Sequence, residues 1–177
     1  MQFEFSAIIL KLTHWIPNSG YVTSQIRISC RDPDWQLSSI AQICNSFLSP
    51  LSTVKDLHIK HALFALVWKD DAIENTHWLE LLLPFTGVKK LYLANEIAPG
   101  IADTLQELVG ARITEVLPSL QNIFVMGFGF MIRRPYEEHI GKFVAARQLS
   151  GQPVAIFVRN LSGAPEFVPF PSETVEN

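Results

Sequence analysis

Five short apolar pairs recur along this chain about 31 to 34 positions apart, and that period constrains the fold more than any other feature of the sequence. The pairs are Ile26/Ile28, Leu57/Ile59, Leu91/Leu93, Ile123/Val125 and Val154/Ile156. Three of them close longer phrases: Leu51, Val54, Leu57, Ile59; then Phe85, Val88, Leu91, Leu93; then Leu117, Leu120, Ile123, Val125. A unit this short cannot bury its own apolar face, so a fixed period of this size points to units stacked on one another, each covering the next.

Each phrase is followed by residues at helical spacing, so the unit reads as strand, loop, helix and return loop. In the first unit Asp32 can cap a helix with Pro33 at its first position, and Leu37, Ile40, Ala41, Cys44, Phe47 and Leu48 then fall on one stripe that Pro50 closes. The second unit's strand runs from about Asp56 to His61, with a short extended stretch over Leu63 to Trp68. A helix with the stripe Trp78, Leu81, Leu82 and Phe85 follows, ended by Pro84 and Gly87. The third strand, Lys89 to Ala94, leads to a helix through Ile97, Ile101, Leu105, Leu108 and Val109, stopped by Gly110. The fourth, Gln121 to Met126, leads to a helix from about Pro135 to Leu149 that buries Ile140, Phe143 and Val144, and Val154 to Val158 closes the stack.

These phrases have the form of leucine-rich repeats. The fold class they predict is α/β: a short leucine-rich-repeat-like solenoid of about five strand–helix units, with a parallel sheet on the concave face and helices on the convex face. Residues 1–20 do not fit the period. Phe3, Phe5, Ala7 and Ile9 alternate, and Asn18, Ser19 and Gly20 make a turn, which predicts an N-terminal cap strand that pairs with or covers the first repeat. The solenoid then covers 21–160, and the proline- and glutamate-containing residues 161–177 read as a mobile tail.

Alternation along the strands turns every second residue away from the core. It places Arg27, His58, Tyr92, Phe124 and Ala155 in a central row on the concave sheet. Gln25, Asp56, Lys90 and Asn122 form one flanking row, and Ser29, Lys60, Ala94 and Met126 the other. A cation, an imidazole and two aromatics in one row make a composition common at binding hot spots. Arg27, His58, Tyr92, Phe124, Lys90 and Asn122 are the partner-binding residues this reading selects.

Chemistry is harder to find. The sequence contains no G-x-S-x-G elbow, H-E-x-x-H helix or phosphate-cradling loop, and Gly127-Phe128-Gly129 lacks the third glycine of a dinucleotide fingerprint. Neighbours Glu137, Glu138 and His139 point in different directions on a helix, with Glu138 placed to face Lys142 one turn on. His58 and His61 lie three apart on a strand and face opposite sides. Cys30 and Cys44 are the only cysteines, too few for a disulfide framework or a zinc knuckle, and both sit on apolar stripes. The expectation is a chain with no catalytic residues, cofactor or metal.

A net charge of −3 with isolated pairs Lys89/Lys90 and Arg133/Arg134 offers no basic stripe for nucleic acid. The first residues lack a positive n-region, and the longest non-polar stretch, Ile123 to Ile132, is shorter than the roughly 20 residues a membrane-spanning helix needs. No membrane and no nucleic-acid partner are therefore expected, and the reading is of a soluble protein of cytoplasm or nucleus.

The stretches from Ile28 to Ser39, from Trp78 to Phe85, and from Phe143 to Gln148 resemble the carboxy-terminal repeat region of a fungal family of F-box and leucine-rich-repeat-like proteins, over roughly residues 20 to 160. The resemblance implies an amino-terminal F-box docked on a Skp-type adaptor and repeats that hold the substrate of a ubiquitin ligase. The reading expects the chain to open on the cap strand with no F-box ahead of it, an expectation that counts against a Skp-type adaptor as its partner. The function expected is a non-enzymatic protein–protein interaction module with an unidentified protein partner, in the form of the substrate-recognition part of an F-box type ubiquitin ligase. The alternative is a truncated or vestigial structural domain with no specific partner.

Overall fold

The computed structural model describes residues 6–16, 19–30, 33–47, 51–61, 75–94, 97–108, 112–126, 136–159 and 167–169. In chain order these form β1 (Ser6–Ile16), β2 (Gly20–Cys30), α1 (Pro33–Phe47), a 3-10 turn (Leu51–Thr53), β3 (Val54–His61), α2 (Asn75–Leu82), β4 (Lys90–Ala94), α3 (Ala98–Glu107), β5 (Asn122–Met126), α4 (Tyr136–Leu149), β6 (Ala155–Arg159) and β7 (Phe167–Pro169). The architecture is mixed α/β.

All seven strands belong to one sheet, in the order β2-β1-β3-β4-β5-β6-β7. Strands β3 to β6 are parallel, each joined to the next through a helix. The expected continuous parallel sheet is corrected at both ends. At one end β1 pairs antiparallel with both β2 and β3, so the first repeat's strand is separated from the second by the cap strand. The turn at Ser19 and Gly20, where Gly20 takes φ +76° that a side chain would strain, folds β1 and β2 into a hairpin of two eleven-residue strands. At the other end Phe167–Pro169, expected in a mobile tail, instead pairs antiparallel with β6.

The repeated phrases explain the core. Leu57, Ile59, Leu91, Leu93, Ile123 and Val125 are fully buried and stand opposite one another as register partners across β3, β4 and β5. From β1 the set Ile8, Leu10 and Leu12 joins them, while Ile9 is only half-buried on the other face, so at Ile9 the expected alternation marked the outward side; Phe3 and Phe5 lie outside the described residues. Against this layer pack Leu37, Ile40 and Cys44 of α1, Trp78, Leu81 and Leu82 of α2, Ile101 and Leu105 of α3, and Ile140 and Phe143 of α4. At about 1.5–3 kcal/mol for each large side chain taken out of water, this shared layer dominates the folding free energy.

The units are joined at matching points. Lys89 N–H donates to the Lys55 carbonyl, Gln121 and Asn122 N–H to the Lys89 carbonyl, and Ala155 N–H to the Gln121 carbonyl, at 2.8 to 3.0 Å. The turn before β4 runs so close to the 3-10 turn that a Cβ on Gly87 would stand 1.7 Å from the Ser52 carbonyl oxygen, so only glycine fits. Between α3 and β5, Leu117 takes the left-handed φ of 49° within an irregular turn. The fully buried Arg147 of α4 holds that turn, donating to the carbonyls of Ile113, Pro118 and Leu120 at 3.2 to 3.3 Å. Sequence spacing placed Val144 on the buried stripe here, but Val144 is half-buried and Arg147 takes the interior position.

Asp32, Pro50, the stretch 63–68, Gly110 and the glycine-rich 127–134 segment lie outside the described residues. No described helix is long and apolar enough to cross a membrane.

Candidate functional site: the sheet face away from the helices

Alternation that buries Leu57 and Ile59 against the helices leaves His58 on the opposite face, and the parallel register sets Tyr92, Phe124 and Phe157 beside it. The four rings stack in sequence. His58 and Tyr92 have centroids 4.1 Å apart at 5°, Tyr92 and Phe124 4.6 Å at 11°, and Phe124 and Phe157 5.0 Å at 16°. Parallel strands about 4.8 Å apart impose this spacing on any in-register aromatic row, so the ladder follows directly from sequence and register. All four rings are half-buried.

Three of the six residues selected from sequence are thus brought together as expected: His58, Tyr92 and Phe124 are consecutive members of one row. Lys90 and Asn122 stand next to each other in the neighbouring row, which Asp56 heads and Ala155 extends. Arg27 is a correction. The interposed β1 sets Gln25 opposite Lys11 and Lys11 opposite His58, so the central row is Gln25, Lys11, His58, Tyr92, Phe124 and Phe157. Arg27 instead faces Ile9, which faces Lys60, two residues along the strands. Ala155 is a second correction, because β6 is registered two residues later than the phrase suggested: Ile156 and Val158, not Val154 and Ile156, pair with Ile123 and Val125.

Two members of the site were missed in the sequence, Phe157 and Lys11. Both had a signal: Phe157 sits between Ile156 and Val158, and Lys11 between Leu10 and Leu12, each an outward position in an apolar alternation.

The electrostatics at the ladder's head are one-sided. His58 is lowered from its ordinary 6.5 to about 4, first by burial and then by the positive charges of Lys11 and Lys60. Its Nδ1 is buried with no hydrogen-bond partner among the described residues, which a neutral ring tolerates better than an imidazolium. Burial, and secondarily the Asp56 carboxylate, raise the Tyr92 phenol above its ordinary value.

The helix side holds different pairs. Glu138 and Lys142 meet at 2.6 Å as the spacing predicted, while His139 of α4 turns to Asp103 of α3 rather than to its neighbouring carboxylates. Among the described residues no group of three or more histidine, cysteine, aspartate or glutamate side chains could hold a metal ion. A shallow groove between α1 and α2, lined by Ser38, Ala41, Gln42, Glu80, Leu83 and Pro84, gathers no convergent polar set. No protein-family model matches the chain, and no curated protein matches it.

Proposed function

We propose that this chain is a non-enzymatic protein-interaction module that holds a protein partner on the sheet face opposite its helices. The observation that carries the reading is the stacked row His58, Tyr92, Phe124 and Phe157, half-exposed on that face. Rigid aromatic area held by a sheet offers a partner contact surface at low entropic cost, and truncating such rings at an interface costs roughly 2 kcal/mol or more each. In this reading β3 to β6 and their helices are a short repeat array of the leucine-rich type, flanked by a hairpin at one end. The partner is the kind of protein that the repeats of F-box and leucine-rich-repeat-like proteins would hold, and the protein works in the cytoplasm or nucleus.

The test is affinity capture of the tagged chain from its own cells, beside a Tyr92→Ala/Phe124→Ala variant whose folding is checked by circular dichroism. A protein retained by the parent chain and lost from the folded variant supports the reading, and a cullin with its adaptor among the retained proteins would assign the ligase form. Equal retention by both, or nothing specific on either, would overturn it.

A further inference from the structure

The ladder's rings spend their faces on one another. Stacked in parallel and standing out from the sheet, they turn their edges toward anything that approaches. The edge of an aromatic ring carries the positive part of its quadrupole, so a row of edges attracts carboxylate and carbonyl oxygens, and accepts a further ring set edge to face rather than stacked flat upon it. This geometry disfavours nucleobases, which stack on open ring faces.

Charge on the same face has the same sign. Lys11, Arg27, Lys60 and Lys90 occupy outward positions around the ladder, against the single carboxylate of Asp56 among the described residues of these rows. None of the four cations makes an ion pair with a described residue, whereas Glu115, Asp103 and Glu138, on the helices and their turns, are each paired. A chain with net charge −3 therefore collects unneutralised positive charge on one side of its sheet. Lys11 and Lys60 both act on His58, so they crowd one locality, at the β1/β3 end of the row.

From this we infer that the occupant of the sheet face is an extended acidic segment of another protein, its carboxylates over Lys11, Lys60 and Arg27 and an apolar side chain over the edges of Phe124 and Phe157. The inference deepens the protein-binding reading and rests on it. Three strand spacings separate Lys11 from Phe124, about 14 Å, which an extended peptide covers in about four residues. Acidic and apolar anchors four residues apart lie on the same side of such a peptide.

The probe is a labelled peptide with two glutamates four residues from a phenylalanine, made in both orders in a serine–glycine background, with a lysine-for-glutamate twin. Binding is followed at low and high salt. The glutamate peptide should bind, and weaken at least about tenfold against Lys11→Glu/Lys60→Glu. The lysine twin should prefer that variant. An NMR titration adds a signature that packing alone would not move. Among the groups around His58, which are Lys11, Lys60, Tyr92 and Asp56, a bound carboxylate offsets the two lysines, so the imidazole midpoint should rise from about 4 on binding.

Failure of the glutamate peptide to perturb this face at millimolar concentration would overturn the inference. So would preferential binding of an oligothymidylate or of phosphatidylserine vesicles through the same lysines. A cellular partner that depends on Tyr92 and Phe124 but holds equally well to Lys11→Glu/Lys60→Glu would sink the acidic segment and leave the protein-binding reading standing. A partner set indifferent to Tyr92 and Phe124 would remove that reading itself.

Discussion

The imidazole of His58 lies over the phenol ring of Tyr92, centroids 4.1 Å apart and planes 5° from parallel, with Lys11 beside it on the neighbouring strand. Protonating that ring places a third cation among lysines, which the unfolded chain does not require. The folded imidazole protonates near 4 and the unfolded one near 6.5, so the stability it contributes is complete above pH 6.5 and is lost as pH falls to about 4. Water screens the half-exposed ring, leaving a loss of roughly 1–2 kcal/mol. Urea midpoints measured across this window should decline, and His58→Phe, which keeps the stack, should flatten the decline.

Arg147 is a fully buried cation whose partners are carbonyls of the turn before β5. Burial lowers its proton affinity, yet a guanidinium stays charged, and three carbonyl dipoles hold it in place of a carboxylate. Arg147→Met should leave those carbonyls unsatisfied and cost roughly 3–5 kcal/mol in urea unfolding. Arg147→Lys should recover little, because an ammonium's three donors leave one nitrogen, whereas the guanidinium reaches the three oxygens from two separate nitrogens.

Two glycine substitutions should move stability in opposite directions. Gly87→Ala forces a methyl into the Ser52 carbonyl and must part the turn before β4 from the 3-10 turn, which should lower the melting temperature steeply. Gly141→Ala, inside α4 with nothing within 4 Å of the added carbon, should stabilise by about 0.5–1 kcal/mol. Thermal melts of the two variants read both signs.

The Cys44 thiol is buried in the α1 stripe and pushed up to about 11 by that burial. Since the thiolate is the reactive form, iodoacetamide at pH 8 should leave the Cys44 peptide unmodified in the folded protein and label it after addition of denaturant. Peptide mass spectrometry measures the fraction labelled.

The three central strands were legible because each is buried on one face only. In that setting Leu57/Ile59, Leu91/Leu93 and Ile123/Val125 allow a single inward assignment, and His58, Tyr92 and Phe124 follow as outward neighbours. At and just before β6 the sequence offers Val154, Ile156 and Val158, three apolar residues of one parity, and a period of about 31 to 34 cannot choose between adjacent pairs, which hid Phe157. In β1, apolar residues of both parities weaken the in–out contrast. Arg27 was misplaced for a topological reason: a repeat counts units along the chain, whereas the hairpin inserts a strand between two of them in space. An arginine in a helix reads as a surface residue, so nothing in the spacing marked Arg147 as interior.

The antiparallel β1 also sets where the sheet can gain strands. A duplicated strand–helix unit placed between β3 and β6 would meet a parallel neighbour on each side, offering the same backbone pattern that joins Lys55, Lys89, Gln121 and Ala155. Inserted ahead of β3, the same unit would separate two strands of opposite direction and break the pairing of β1 with β3. The hairpin is thus a fixed boundary, and any lengthening by tandem duplication would widen the middle of the aromatic ladder, carrying its cationic end and its phenylalanine end further apart.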